Sequence, residues 1–252
     1  MRIIDSHYHL DFIKSDALKK ALLQQLSANN IDIVAQTVTP DGFEQLHQRF
    51  DYPDNTIKRV SLGIHPWYID NAQTQLKQFA QYVKKTSYIG EIGLDFTPKR
   101  LESVSKEIQE FVFREVLKCV VEQDAHYILS IHAVKSEMNV IDILEEEIDD
   151  FEKVVPIIHR FNGTHEALHR FLKLGGYISV HPSLLNTKKG RAYIRYIPNH
   201  RLLFETDLPG EHAASPVDEV MTALHHLSTN LVDIKGEQIL SDIEKTQLKL
   251  YV

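Results

Sequence analysis

The feature that most constrains this chain is an alternation. Short β-branched runs lie at Arg2–His7, Ile31–Val38, Ile57–Ile64, Tyr88–Ile92, Tyr127–His132, Val154–Arg160, Gly176–Val180 and Arg201–Thr206. Between them, apolar residues recur at three- and four-residue spacing, the period of a helix packed on one face. The clearest such segment is Leu101–Gln123, where Ile108, Phe111, Val112, Val116, Cys119 and Val120 build a broad apolar face. Ala17–Leu26, Gln75–Val83, Val140–Ile148, Glu166–Leu174, Ala192–Ile197 and Pro216–Leu227 read similarly, and Asp41–Phe50 is a shorter helix. Eight strand–helix units in 252 residues predict an α/β fold of the (β/α)8 TIM-barrel type. A doubly wound open sheet is the alternative, but it carries fewer units and often a Gly-rich phosphate loop, and neither GxGxxG nor GxxxxGK[ST] occurs here. No linker-like stretch interrupts the alternation, so one domain over residues 1–252 is expected.

A barrel concentrates its chemistry at the C-terminal ends of its strands. Strand one ends in Asp5-Ser-His7-Tyr-His9, strand three in Gly63-Ile-His65 and strand four in Gly90-Glu91-Ile-Gly-Leu-Asp95. Strands five, six and eight end in His132, His159 and Glu205-Thr-Asp207. Side chains that are costly to bury, placed this regularly, point to a metal site. His7 and His9, two apart in a strand, project to one face and can share an ion. That pair alone decides nothing, since 14 histidines give roughly 0.7 HxH pairs by chance. Its weight comes from the apolar strand before it and the carboxylate at the far end of the chain. Glu91 lies inside an apolar strand between glycines, where a carboxylate needs a cation or a salt-bridge partner.

Charge and cysteine content narrow the reading. The net charge of −7 does not draw the chain to nucleic acid or anionic membrane, so metal ions or a local patch must supply positive charge if phosphates are handled. One cysteine, Cys119, excludes an internal disulfide and a Cys-based zinc site, and fits a reducing cytosol. No apolar run approaches the roughly 20 residues that span a bilayer, and Met1-Arg-Ile-Ile-Asp-Ser-His7 lacks the apolar stretch of a signal peptide. A cytoplasmic location with no membrane partner is therefore expected.

Taken in order, Asp5-Ser-His-Tyr-His-Leu-Asp11, Gly63-Ile-His-Pro-Trp67, Gly90-Glu-Ile-Gly-Leu-Asp-Phe96, the isolated His132, His159-Arg-Phe-Asn-Gly163 and Glu205-Thr-Asp-Leu-Pro209 resemble the TatD-type metal-dependent deoxyribonucleases. These belong to the amidohydrolase superfamily of barrels. The resemblance runs from residue 4 to about residue 210. It implies hydrolysis of DNA phosphodiester bonds with two divalent ions per subunit. His7, His9, Glu91 and Asp207 would hold one ion. Glu91, His132 and His159 would hold the second, with Glu91 bridging. Imidazole and carboxylate donors suit Mg, Mn or Zn.

The chain departs from the family pattern where substrate would lie. The usual Arg two residues after the strand-five His is Val134, with Lys135 next; Asn162 replaces a small hydroxyl; and 210–216 replaces a Pro-rich, Arg-containing loop. Such divergence looks like the TatD-like branch of bacterial anti-phage operons, the QatD type, which implies other defence-system components as protein partners. On this reading Asp207 and Glu91 are catalytic, Asp207 being a general base with its second oxygen free. His65 lies at the rim and binds phosphate with Lys135, Arg160 and Lys99. Trp67, Tyr68 and Phe96 stack on bases of a single strand or frayed end. Two alternatives keep the barrel. One is another amidohydrolase-type reaction on a lactone, amide or nucleobase, against which stands Glu91 at a position where such relatives often carry a carbamylated Lys. The other is a non-catalytic TatD-like subunit, which has no need for six buried ligands. His165-Glu-Ala-Leu-His169 matches the HExxH protease motif, but it reads as an outer helix face after strand six. Cys119 sits in an apolar stripe, unlike an activated nucleophile.

Overall fold

A computed structural model describes residues 1–49, 59–209 and 217–252 of the chain. Eight strands, β1 (Ile3–Tyr8), β2 (Ile31–Ala35), β3 (Leu62–Ile64), β4 (Tyr88–Asp95), β5 (Tyr127–Val134), β6 (Val154–His159), β7 (Tyr177–Val180) and β8 (Leu202–Phe204), form one sheet. Its order is β2-β1-β8-β7-β6-β5-β4-β3, and every neighbouring pair is parallel. The sheet curls until its edges meet. Ala35 bridges Val60, its N–H donating to Arg59 O (2.8 Å) and its carbonyl accepting from Ser61 N–H (2.8 Å). This is the TIM-barrel fold expected from the alternation.

Helices cover the sheet: α1 (Asp16–Ala28), α2 (Pro40–Arg49), α3 (Ala72–Tyr82), α4 (Pro98–Leu101), α5 (Lys106–Val121), α6 (Glu137–Glu147), α7 (His165–Lys173), α8 (Pro182–Leu185), α9 (Lys188–Tyr196), α10 (Val217–Lys235) and α11 (Gln238–Tyr251). Side-chain caps start several of them. Ser15, Asn71, Ser105, Thr164 and Thr187 each accept a backbone N–H of the first turn, satisfying a donor the helix leaves open. Ser105 also explains why the long helix expected over Leu101–Gln123 is broken: α4 ends at Leu101 and a capped α5 begins at Lys106. The buried face of α5 is Gln109, Val112, Phe113, Val116, Leu117 and Val120, while Ile108 and Phe111, expected inside, are exposed. Of the segments read from the sequence, Phe50, Ile57, Lys58, Pro216 and the loop 210–216 lie outside the described residues.

Apolar packing divides the molecule. A large cluster lies between helices and sheet. A smaller one gathers Ile4, Val34, Ile128, Val155, Ile157, Tyr177 and Leu203 from six strands with Leu250 and Tyr251 of α11. The sequence pattern did not single out α11 as a full helix, yet it is pinned to the sheet. Gln247 bonds both N and O of Ile4 (3.2 and 2.6 Å), and Arg59 donates twice to Tyr251 O (3.0 and 2.9 Å). One end of the sheet is thereby sealed with hydrocarbon, and the polar strand ends collect at the other. Among the described residues no helix is long and apolar enough to cross a membrane.

Candidate metal centre

Glu91 occupies the middle of the polar end and divides it in two. Its Oε2 lies 3.4 Å from His7 Nε2 and 3.3 Å from His9 Nε2. Its Oε1 lies 2.8 Å from His132 Nδ1, 2.8 Å from His159 Nε2 and 3.1 Å from His65 Nε2. Asp207 Oδ1 completes the first group, 3.3 Å from His9 Nε2 and 3.6 Å from His7 Nε2, with the two imidazole nitrogens 3.2 Å apart. An ion with bonds of about 2.1 Å in a tetrahedral shell needs donor–donor edges of about 3.4 Å, and these distances match it. Two ring nitrogens and two carboxylate oxygens aimed at one point have no reason to converge unless a cation or protons sit among them. The second group, Glu91 Oε1, His132 Nδ1 and His159 Nε2, is as close, with the two nitrogens 3.3 Å apart.

Glu91 is held there by backbone. The chain beyond β2 reaches β4, where Thr37 O accepts Glu91 N–H at 2.7 Å. This approach passes over Gly63, on which a Cβ would lie 1.9 Å from Thr37 O and 2.6 Å from Glu91 N. Only glycine fits at 63.

Two of the rings have a hydrogen-bond partner behind them: His132 Nε2 faces Asp95 Oδ2 (3.0 Å), and His7 Nδ1 meets Ser130 Oγ (2.8 Å). Asp11 Oδ1 and Glu205 Oε2 stand behind His9 Nδ1 and His159 Nδ1 at 3.6 and 3.9 Å, beyond hydrogen-bond distance. The Asp95 carboxylate fixes a proton on His132 Nε2 and orients that ring with Nδ1 toward Glu91. His65 is the reverse. Its Nδ1 accepts Trp67 N–H (3.0 Å), so the neutral ring carries its proton on Nε2 and presents a donor, not a lone pair, to Glu91. Burial would raise the Glu91 carboxyl, but His65, His159, His7 and His132 together hold it well below the usual range. Burial lowers His7, and takes His159 to about 4, so both rings are neutral. His132, despite burial, is pushed up to about 9 by Asp95 and Glu91, so an ion entering its group displaces a proton.

The centre lies in a cleft of about 1050 Å³. Phe12, Trp67 and Tyr68 line it together with Lys135, Arg160 and Lys189, with Lys99 beside the tryptophan. Despite the net charge of −7, cations gather at this mouth. Residues 4–238 match the family TatD related DNase.

The chain belongs to the TatD family.

An uncharacterized metal-dependent hydrolase of Buchnera aphidicola, BU355, is 31% identical over 229 residues, covering 83% of this chain and 81% of that protein. Human deoxyribonuclease TATDN3 is 25% identical, covering 99% and 94%. Among solved structures, the TatD homolog YjjV of Escherichia coli superposes with a TM-score of 0.82 at 22% identity, covering 99% and 97%, which bears on the fold. The TatD-family chain is therefore a metal-dependent hydrolase of the class that acts on ester bonds.

Three expectations about the site change. His65 is not at the rim: it is 7% exposed and beside Glu91, because β3 ends deep against β4. Asp207 does not have a free second oxygen, since Arg160 Nη1 donates to Oδ2 at 2.5 Å. Phe96 is 7% exposed, outside the cleft and covered by Lys106 (4.8 Å), so the aromatic wall is Trp67 and Tyr68 with Phe12. Lys135 and Arg160 are exposed at the mouth, and both have left-handed φ (56° and 48°), as does Asp207 (56°). Non-glycine residues in that region cluster where the surroundings over-determine them. His165 and His169 are exposed on α7 against Tyr196, away from the cleft. Asp95, Asp11, Ser130 and Glu205 are the contacts that the motif reading did not single out.

Asp5 is also buried behind the centre, accepting from Thr206 Oγ1 (2.5 Å), Thr206 N (3.0 Å) and His7 N (3.2 Å). Burial raises its carboxyl from 3.8 to about 7 against those bonds. Below pH 3.8 it is protonated folded or unfolded; between 3.8 and about 7 the native state keeps a proton that the unfolded chain has released. Its contribution to stability is thus present at low pH and lost as pH rises through about 7, at up to about 1.4 kcal/mol per pH unit. Asp5→Asn should flatten the fall of the thermal midpoint over that window, measured by calorimetry on chelated protein. An unchanged slope refutes the buried neutral carboxyl.

Proposed function

We propose that this chain hydrolyses DNA phosphodiester bonds with two divalent ions, one held by His7, His9, Glu91 and Asp207 and the other by Glu91, His132 and His159. The observation that carries this reading is the division of the two Glu91 oxygens between the two histidine groups. Mg, Mn and Zn all suit such donors. Ions in such a site polarise a phosphoryl oxygen and make the attacking water more acidic. The residues do the rest. Asp207 takes the water's proton once Arg160, whose side chain is 48% exposed, swings off Oδ2 onto the substrate phosphate. His65, buried with its Nε2–H on Glu91 Oε1 (3.1 Å), orients that carboxylate. Lys135 and Lys99 follow the backbone, and Trp67 and Tyr68 stack on bases of a single strand or a frayed end.

One domain, residues 1–252, carries the whole site, since strands from both ends of the chain contribute to it. The substrate-facing departures, Lys135 after Val134 and Asn162 bonded to Lys189 Nζ (2.7 Å through its carbonyl), support placing the chain in the anti-phage TatD-like branch. It would then work in the cytoplasm with other defence components.

The test is cleavage of end-labelled single- and double-stranded DNA by chelated protein, supplemented in turn with Mg, Mn and Zn. Added metal should restore hydrolysis, with single strands cut faster. Metal at 100 times its Kd should also stabilise the fold by about 2.7 kcal/mol. If no metal restores cleavage and none raises the thermal midpoint, this reading falls.

A further inference from the structure

The chain has one tryptophan, and it is tied to the centre. Trp67 lies in the turn Pro66–Tyr68 after β3, 37% exposed, at the cleft, with its ring flanked by Lys99 (5.5 Å) and Arg100 (5.9 Å). Its indole Nε1–H donates to Asp95 Oδ2 at 2.8 Å. The same oxygen receives His132 Nε2 at 3.0 Å, and His132 Nδ1 faces Glu91. Glu91 and Asp95 are four apart in β4, so both project to one face of the strand.

Asp95 is fixed in every other direction. Its Oδ1 accepts from Thr97 Oγ1 (2.6 Å) and Thr97 N (2.9 Å). Its backbone N–H donates to Gln109 Oε1 (2.8 Å), and its carbonyl accepts from Gln109 Nε2 (3.0 Å), Gln109 being fully buried. One anchored oxygen therefore serves two donors, one behind a candidate ion ligand and the other on the aromatic wall. An ion on His132 Nδ1 puts the orientation of the ring under its coordination geometry and so changes how Nε2–H meets Asp95 Oδ2. The indole that shares that oxygen must then re-seat.

We propose that Asp95 is a positioning residue that couples ion loading at His132 to the orientation of Trp67. The stacking wall then adopts its seat for a nucleobase when the centre is loaded. The inference rests on the proposed role of His132 as an ion ligand.

The test is a zinc titration of chelated full-length protein, followed in parallel by calorimetry and by tryptophan emission, which reports Trp67 alone. In the wild type the emission should shift with the same midpoint as the heat of binding. Asp95→Asn should weaken the zinc Kd by about 10–100-fold and lose most of the emission shift at saturating zinc. Thr97→Val, which loosens Asp95 without touching Oδ2, should give a smaller shift than wild type, and it serves if Asp95→Asn does not fold. Zinc uptake with silent emission in the wild type overturns the coupling while leaving the ligand assignment standing. A full wild-type shift in Asp95→Asn also overturns it. No zinc uptake at all removes the ligand assignment and this inference together.

Discussion

Glu91→Gln is expected to reduce DNA hydrolysis by 1000-fold or more while the protein stays folded. The side chain is isosteric and 3% exposed, so packing changes little. Each glutamate oxygen, however, serves a different pair of histidines. The amide keeps one oxygen and turns an N–H donor toward the other pair, and the negative charge among five imidazoles is gone. Removing a single electrostatic contact in an active site costs about 10²–10³-fold, and here both proposed ion-binding groups would be damaged at once. Elemental analysis should show the bound metal falling, and kcat/KM on labelled DNA should fall with it. His165→Ala and His169→Ala, on the exposed face of α7, should leave both quantities near wild type. Equal losses from all three substitutions would return the HExxH helix to contention; a full complement of metal in Glu91→Gln would remove the bridging role.

The sequence made the strand ends legible because a barrel sends them all to one rim. His7, His9, Glu91, His132, His159 and Asp207 could be picked out one strand at a time, and the fold brings their polar atoms within 3.6 Å of a neighbour in the group. What stood behind them was hidden, because it depends on side-chain direction across strands distant in sequence. Glu205 sits behind His159 through the pairing of β6, β7 and β8, and Asp11 reaches His9 only after a turn. The depth of His65 and the burial of Phe96 were unreadable for a related reason: two residues at a strand end can point to opposite sides. Apolar spacing likewise reveals an amphipathic helix without saying how wide its buried stripe is, which is why Ile108 and Phe111 were misplaced on α5. Asp95 had a signal, four residues after Glu91 in one strand, that geometry alone could use.

Asp207→Asn should separate the general base from the ligand. Asn is among the residues that best tolerate left-handed backbone, so φ of 56° at this position adds no strain to the variant. Its oxygen can still face His7 and His9, and on the proposed ligand set these and Glu91 would keep the first ion in place. What is lost is an oxygen able to take a proton. Loss of a positioned base costs about 10²–10⁴-fold, and it should appear in kcat with KM little changed. The ion pair with Arg160 adds a discriminating control. On the proposed mechanism Arg160 leaves Asp207 for the substrate phosphate, so Arg160→Ala should raise KM more than it lowers kcat. In Asp207→Asn the amide's N–H group faces the guanidinium and expels it toward solvent, so adding Arg160→Ala should cost no further kcat, a non-additivity expected of residues in direct contact. Single-turnover kinetics on labelled DNA, with metal content measured on each variant, reads all of these. Near-normal kcat in Asp207→Asn would make the strand-eight carboxylate a structural anchor and send the search for the base elsewhere in the cleft.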